Sequence, residues 1–325
     1  MPDSGTDLHA PPPAEHDTAT SRVGEGVPPG VEYHRVLAGD QRRIGRGILA
    51  IALLLVGFFA ISTAVVMGAS WIEAQRGYTT PALGGSDYTP LYHLAAFGSI
   101  TVLIPLSMLI QRWMYGVRGA SLHSVVSRPR FDVLGRSLLV LVPVVLLVVV
   151  LHSWLAPAPQ APLAREAALG IFVISLLVVP LQGTAEEYGL RGLVFRIAAS
   201  WGRGPRTALV LGLLVAASVF MVIHGASDPW LNLWYLVFAL SNGIITWRTG
   251  GLEVAVVLHG AFNALSFAVA VVLGTDFTIT GDREAGATNA AMLVPITVWI
   301  VIAAVVWLRT RRSGPARTPQ PHTDR

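Results

Sequence analysis

SLLVLVPVVLLVVVLHSWL, residues 137–155, runs for 19 positions without an Asp, Glu, Lys or Arg. At ~1.5 Å per residue a helix of that length covers about 28 Å, close to the ~30 Å hydrocarbon thickness of a bilayer. In lipid, backbone groups must bond within their own segment, so the stretch reads as a membrane-spanning helix. Outward from it lie comparable apolar stretches at 47–69, 93–111, 167–200, 207–224, 230–247, 252–273 and 290–308. The fold class that follows is all-α, a polytopic membrane helix bundle of about eight transmembrane helices. The fourth stretch is the odd one. Its apolar part ends near Leu181 while a helical pattern continues to Ser200, so it reads as one long tilted helix loosened near Pro180.

Composition supports this reading. Hydrophobic residues make up 53% and charged residues 13%, against about 25% charged in soluble domains. A soluble chain of 325 residues has no means of hiding that much apolar surface. All 23 basic residues are Arg, which suggests GC-rich coding and a bacterial source. Cysteine is absent, excluding disulfides, thiol catalysis, Cys-ligated metal and lipidation through Cys. The last residues, Pro321 to Arg325, form no prenylation box. The first apolar stretch starts too late and is too long for a secretory signal.

The chain divides into a disordered cytoplasmic tail at 1–45, helices 1–3 at 46–166, a core of helices 4–7 at 167–273, an outer loop and helix 8 at 274–309, and a cytoplasmic tail at 310–325. Orientation follows from Arg asymmetry. With the N-terminus inside, the inner segments hold Arg35, Arg42, Arg43, Arg46, Arg112, Arg118, Arg128, Arg130, Arg136, Arg196, Arg203, Arg206, Arg248, Arg309, Arg311, Arg312 and Arg317. The outer loops hold Arg76, Arg165 and Arg283. An even number of spans then leaves both termini in the cytoplasm, expected to be that of a bacterial cell.

Ionisable residues inside spans cost about 2.5–3.5 kcal/mol each on insertion scales and need a reason. Here they are Glu186, Glu187 and Arg191 in helix 4, His224 closing helix 5, and His259 in helix 7, joined there by the polar but neutral Asn263. Glu187 and Arg191 stand four apart and share a face, as do His259 and Asn263. Glu186 is turned about 100° from Glu187. His152 and Glu253 lie near span ends and read as packing or interfacial residues. Two carboxylates, two imidazoles and an amide suffice for peptide hydrolysis. A carboxylate takes a proton from water, and His or amide groups donate to the oxyanion. Alternatively, two His and a Glu hold a divalent metal such as zinc that lowers the pKa of bound water to about 7. The cofactor is therefore either none or such a metal, with Glu187, His224 and His259 as candidate ligands. Glu186, His224 and His259 are expected to meet in one intramembrane cavity.

The same residues form a known pattern. Glu186-Glu187-Tyr188-Gly189-Leu190-Arg191 resembles the EExxxR motif of the CAAX-protease and bacteriocin-processing (CPBP) family, which includes the type II CAAX prenyl endopeptidases. Phe220 to His224 is similar to its FxxxH motif, and His259 to Asn263 to its HxxxN motif, preceded by Gly250-Gly251. The resemblance covers about 167–273. It implies an intramembrane endopeptidase acting on a membrane-associated protein or peptide. Glu186 would be the general base and His224 its partner. Glu187 and Arg191 would form a supporting pair, while His259 and Asn263 stabilise the oxyanion. The family has been called metalloprotease, and a glutamate-activated water without metal is also argued for it.

Other signatures are missing or misplaced. No HExxH is present. Gly84-Gly85-Ser86-Asp87 and Gly281-Asp282 fall in outer loops, wrong for an intramembrane aspartyl protease. Nothing points to nucleic acid, and the sequence leaves the oligomeric state open. The alternative is a non-catalytic scaffold, immunity protein or transporter using the same polar groups for packing or proton relay. A transporter usually shows two related halves, whereas the polar residues here all fall in the second half.

Overall fold

The computed structural model describes residues 26–39, 43–278 and 282–320. Residues 1–25, 40–42, 279–281 and 321–325, Arg42 and Gly281 among them, lie outside these. Eight helical rods follow one another: α1 Ile44–Gln75, α2 Pro90–Tyr115, α3 Phe131–Leu155, α4 Arg165–Ala199, α5 Pro205–Ile223, α6 Pro229–Thr249, α7 Glu253–Leu273 and α8 Ala290–Thr310. Punctuation is local. Pro90, Pro205 and Pro229 sit in first turns, where the missing N–H costs nothing. Thr89 and Asp228 accept from the Tyr92 and Leu231 amides as N-caps. Gly116, Gly250 and Gly274 end α2, α6 and α7 in the left-handed region.

Seven rods are long and apolar enough to cross a membrane. The exception is α6, which has the length but not the apolarity. It carries Ser241, Asn242, Thr246 and Arg248, all buried against the protein. α6 packs on α5, α7 and α8, and its polar face is satisfied there rather than by lipid. The outward faces are apolar in the way lipid demands: Leu139 and Leu147 of α3, Val222 of α5 and most of α1 are exposed.

α7 is the hub, packed against α3, α4 and α6. Its crossing with α4 is tight. A Cβ on Gly183 would lie 2.9 Å from the Gly260 amide nitrogen, and one on Gly260 would lie 3.1 Å from the Pro180 carbonyl oxygen. Small residues let two backbones meet in this way in membranes. α4 is loosened where expected, breaking at Val178 just before Pro180. It also widens into a π-helical stretch over Glu187–Val194, a form that recurs at functional sites and that its sequence did not announce.

One expectation is corrected. Residues 26–39, read as part of a disordered tail, are docked across one end of the bundle. Tyr33 and His34 are fully buried, and the Tyr33 hydroxyl donates to the Leu122 carbonyl at 2.6 Å. The Arg196 guanidinium lies 3.9 Å from the Tyr33 ring centroid and donates to the Ser121 carbonyl at 2.7 Å. The chain's two end segments pair there. The Gly30 amide donates to the Thr318 carbonyl at 3.1 Å, and the Thr318 amide to the Val31 carbonyl at 2.8 Å. A few aromatic and apolar side chains with a buried cation to cover suffice to order this segment without any apolar run.

Candidate active site

The Gly183–Gly260 crossing sets two carboxylates of α4 against His259 of α7. Glu187 is fully buried. Its Oε1 accepts from His259 Nδ1 at 2.7 Å and from Asn242 Nδ2 of α6 at 3.2 Å. Its Oε2 lies 3.4 Å from Arg191 Nε. The guanidinium of Arg191 makes no hydrogen bond to a described residue. It lies over the Phe220 ring, 4.2 Å from the centroid, with Phe238 at 5.3 Å. A desolvated cation on two aromatic faces beside one carboxylate is a coherent buried pair.

Glu186 stands on the other side of His259. Its Oε1 accepts from Gln182 Nε2 at 2.6 Å, and Gln182 Oε1 accepts from Asn263 Nδ2 at 3.0 Å. Its Oε2 has no hydrogen-bond partner among the described residues and lies 3.5 Å from His259 Nε2. The His259 ring thus bridges the two carboxylates. Because Nδ1 faces a carboxylate oxygen, it carries a proton.

His224 ends α5. Its Nδ1 donates to the Phe220 carbonyl at 2.6 Å, four residues back, which leaves Nε2 free as acceptor in the neutral ring. The Tyr235 ring of α6 lies against it, 4.2 Å between centroids, and Arg283 Nη1 donates to its carbonyl at 2.8 Å.

These groups fall into two layers. Glu186, His224, Asn263 and Gln182 line a cavity of about 570 Å³, within the usual size of ligand sites. Glu187, Arg191 and His259 are packed behind it and do not line it. His152 and Ser153 at the end of α3 also line the cavity, so His152 is not merely interfacial. Glu253 takes no part. It accepts from Arg130 Nη2 at 2.6 Å and Nε at 2.9 Å, tying α7 to the start of α3. Reading the sequence missed Gln182, Asn242 and Tyr235. Gln182 was detectable, being an amide one turn before Glu186 in an apolar run. Asn242 and Tyr235 lie on a helix with no site motif.

A metal held by Glu187, His224 and His259 does not fit this donor set. Glu187 is committed to Arg191, Asn242 and His259, and His224 stands in the other layer. Among the described residues no three His, Cys, Asp or Glu are grouped to hold an ion.

Residues 168–265 match the model of the Rce1-like type II CAAX prenyl endopeptidases, as the three motifs imply. The uncharacterized protein YyaK of Bacillus subtilis (strain 168) is 30% identical over 99 residues, 29% of this chain and 32% of that protein. The match thus spans about a third of that relative's length. No solved structure matches the chain.

Proposed function

We propose that the chain is an intramembrane endopeptidase that hydrolyses a peptide bond of a membrane-associated protein or peptide with a water activated by Glu186. The supporting observation is Glu186 in the wall of a cavity, with one oxygen fixed by the Gln182–Asn263 relay and the other, Oε2, buried without a hydrogen-bond partner among the described residues. In this reading Glu186 takes one proton of the water, and His224 Nε2 accepts a hydrogen bond from the other. The water oxygen adds to the scissile carbonyl carbon. The second N–H of Asn263 donates to the oxyanion. Glu186 then returns its proton to the amine nitrogen as the C–N bond breaks.

The geometry favours a different part for His259 from the one the motif resemblance implies. Held between Glu187 and Glu186, it is a positioning residue that orients Glu186, rather than an oxyanion donor. Residues 167–273 form the catalytic core in this proposal, both termini face the cytoplasm, and the membrane is that of a bacterial cell. The test is turnover of a quenched peptide library by the purified protein. Glu186→Gln should lower turnover by about 10²–10⁴-fold with helicity and melting temperature retained. A Glu186→Gln protein that keeps its cellular phenotype overturns the reading in favour of a scaffold. A chelator should leave the rate unchanged, and chelator loss with zinc rescue would reinstate the metal.

A further inference from the structure

The cavity has a direction. Pro81 and Tyr88 before α2, His152 and Ser153 closing α3, His224 closing α5, and Phe277, Thr278, Arg283 and Thr288 before α8 all line it. Every one lies at the same end of the bundle, where the loops after α1, α3, α5 and α7 gather. That end carries Arg76, Arg165 and Arg283 as its loop cations, beside Asp87, Glu166, Asp228, Asp276, Asp282 and Glu284.

The opposite end is closed and basic. Beneath Glu186 come the buried Glu187, Arg191 and Asn242, then Leu190, Leu193 and Val194, each at most 1% exposed. Arg196 follows, capped by Tyr33. The docked 26–39 segment covers this end, and the cavity of about 470 Å³ at its edge, lined by Leu37, Arg43, Arg46, Tyr115 and Ser200, includes no residue of the Glu186 layer. Around it stand Arg35, Arg43, Arg118, Arg128, Arg203, Arg311 and Arg312, and the paired end segments lie on it. Arg-rich loops stay on the cytoplasmic side during insertion, so the sealed end is the cytoplasmic one.

We infer that the cavity takes its substrate from the non-cytoplasmic side, as a segment of polypeptide already carried across the membrane. This rests on the protease reading above and narrows its substrate class. The lining rings of Tyr88, Tyr92, Trp234, Tyr235, Phe267 and Phe277 favour aromatic or aliphatic side chains next to the scissile bond. Loop 282–288 holds the rim in place. The Asp228 carboxylate accepts from the Gly286 amide at 3.0 Å and the Thr288 hydroxyl at 2.7 Å, and the Arg283 carbonyl from the Ser227 amide at 2.9 Å.

The native chain has no Cys, so single-Cys variants report cleanly. Ser266→Cys places a thiol in the cavity wall, and Ser313→Cys places one at the sealed end. In right-side-out vesicles an impermeant maleimide should label Ser266→Cys and not Ser313→Cys. In inverted vesicles the pattern should reverse. Labelling of Ser266→Cys only in inverted vesicles overturns the inference, whether or not any peptide is cut. A quenched peptide with aromatic residues beside the cleavage site should be hydrolysed at least about tenfold faster by right-side-out vesicles. Equal rates from both sides would mean entry through the bilayer and would also overturn it. The expected labelling with no hydrolysis from either side would instead remove the protease reading and leave the side of access standing.

Discussion

At the scale of single residues, Glu187 and Glu186 are neighbours with different work, because a helix turns about 100° per residue. Glu187 balances Arg191 in a space without water. Glu187→Gln should therefore cost stability, about 3–5 kcal/mol, by leaving a buried cation unpaired, and should lower turnover as well. Thermal unfolding in detergent measures the first effect. Replacing Glu187 and Arg191 together by Gln and Met should recover much of the stability without the activity. His34 offers a pH test. Burial pushes its imidazole down to about 4, against the opposing pull of Glu32. An unfolded His titrates near 6.5, so between about 6.5 and 4 the unfolded chain binds a proton that the folded chain refuses. This contribution to stability is fully present above about pH 6.5 and is lost as pH falls toward 4. The melting temperature should fall through that window, and His34→Phe, which keeps the stacking on Phe195, should flatten the slope.

At the scale of elements, the α4–α7 crossing decides whether there is a site at all. A methyl group at Gly183 meets backbone rather than a movable side chain. Gly183→Ala should separate α4 from α7, lowering stability by about 1–3 kcal/mol and activity by more, since His259 would leave both carboxylates. Gly57→Ala on the lipid-facing α1, where the nearest atom is the end of the Leu106 side chain, serves as the mild control. The rods themselves were legible because an apolar run of membrane length admits one backbone solution. The three motifs were legible because charge inside such a run is costly. The Gly183–Gly260 contact was not, since each glycine alone looks like many others and only the crossing gives them meaning. Nor was the widened turn over Glu187–Val194, which depends on what packs around it. α6 was read at 230–247 as an apolar span like the others, yet its Ser241, Asn242, Thr246 and Arg248 keep it less apolar than the other seven, and α5, α7 and α8 cover them.

At the scale of the whole molecule, the bundle has one sealed end and one open end, and the N-terminal segment makes the difference. Removing residues 26–39 should open the sealed end to water and expose Arg196. Hydrogen exchange around Ser121 and Arg196 should rise while α1 to α8 remain inserted. The segment was misread because its anchors, Tyr33, His34 and Val36, are few and polar company surrounds them. The pairing of Val31 with Thr318 joins positions 287 apart in sequence, and that separation is also an interval of time. A ribosome adding about 5–20 residues per second needs roughly 15–60 s to travel it. Throughout that interval the 26–39 segment waits for its partner while all eight helices are made. The nascent protein thus passes that interval with its seal unlatched, and the segment around Thr318 is the one that closes it.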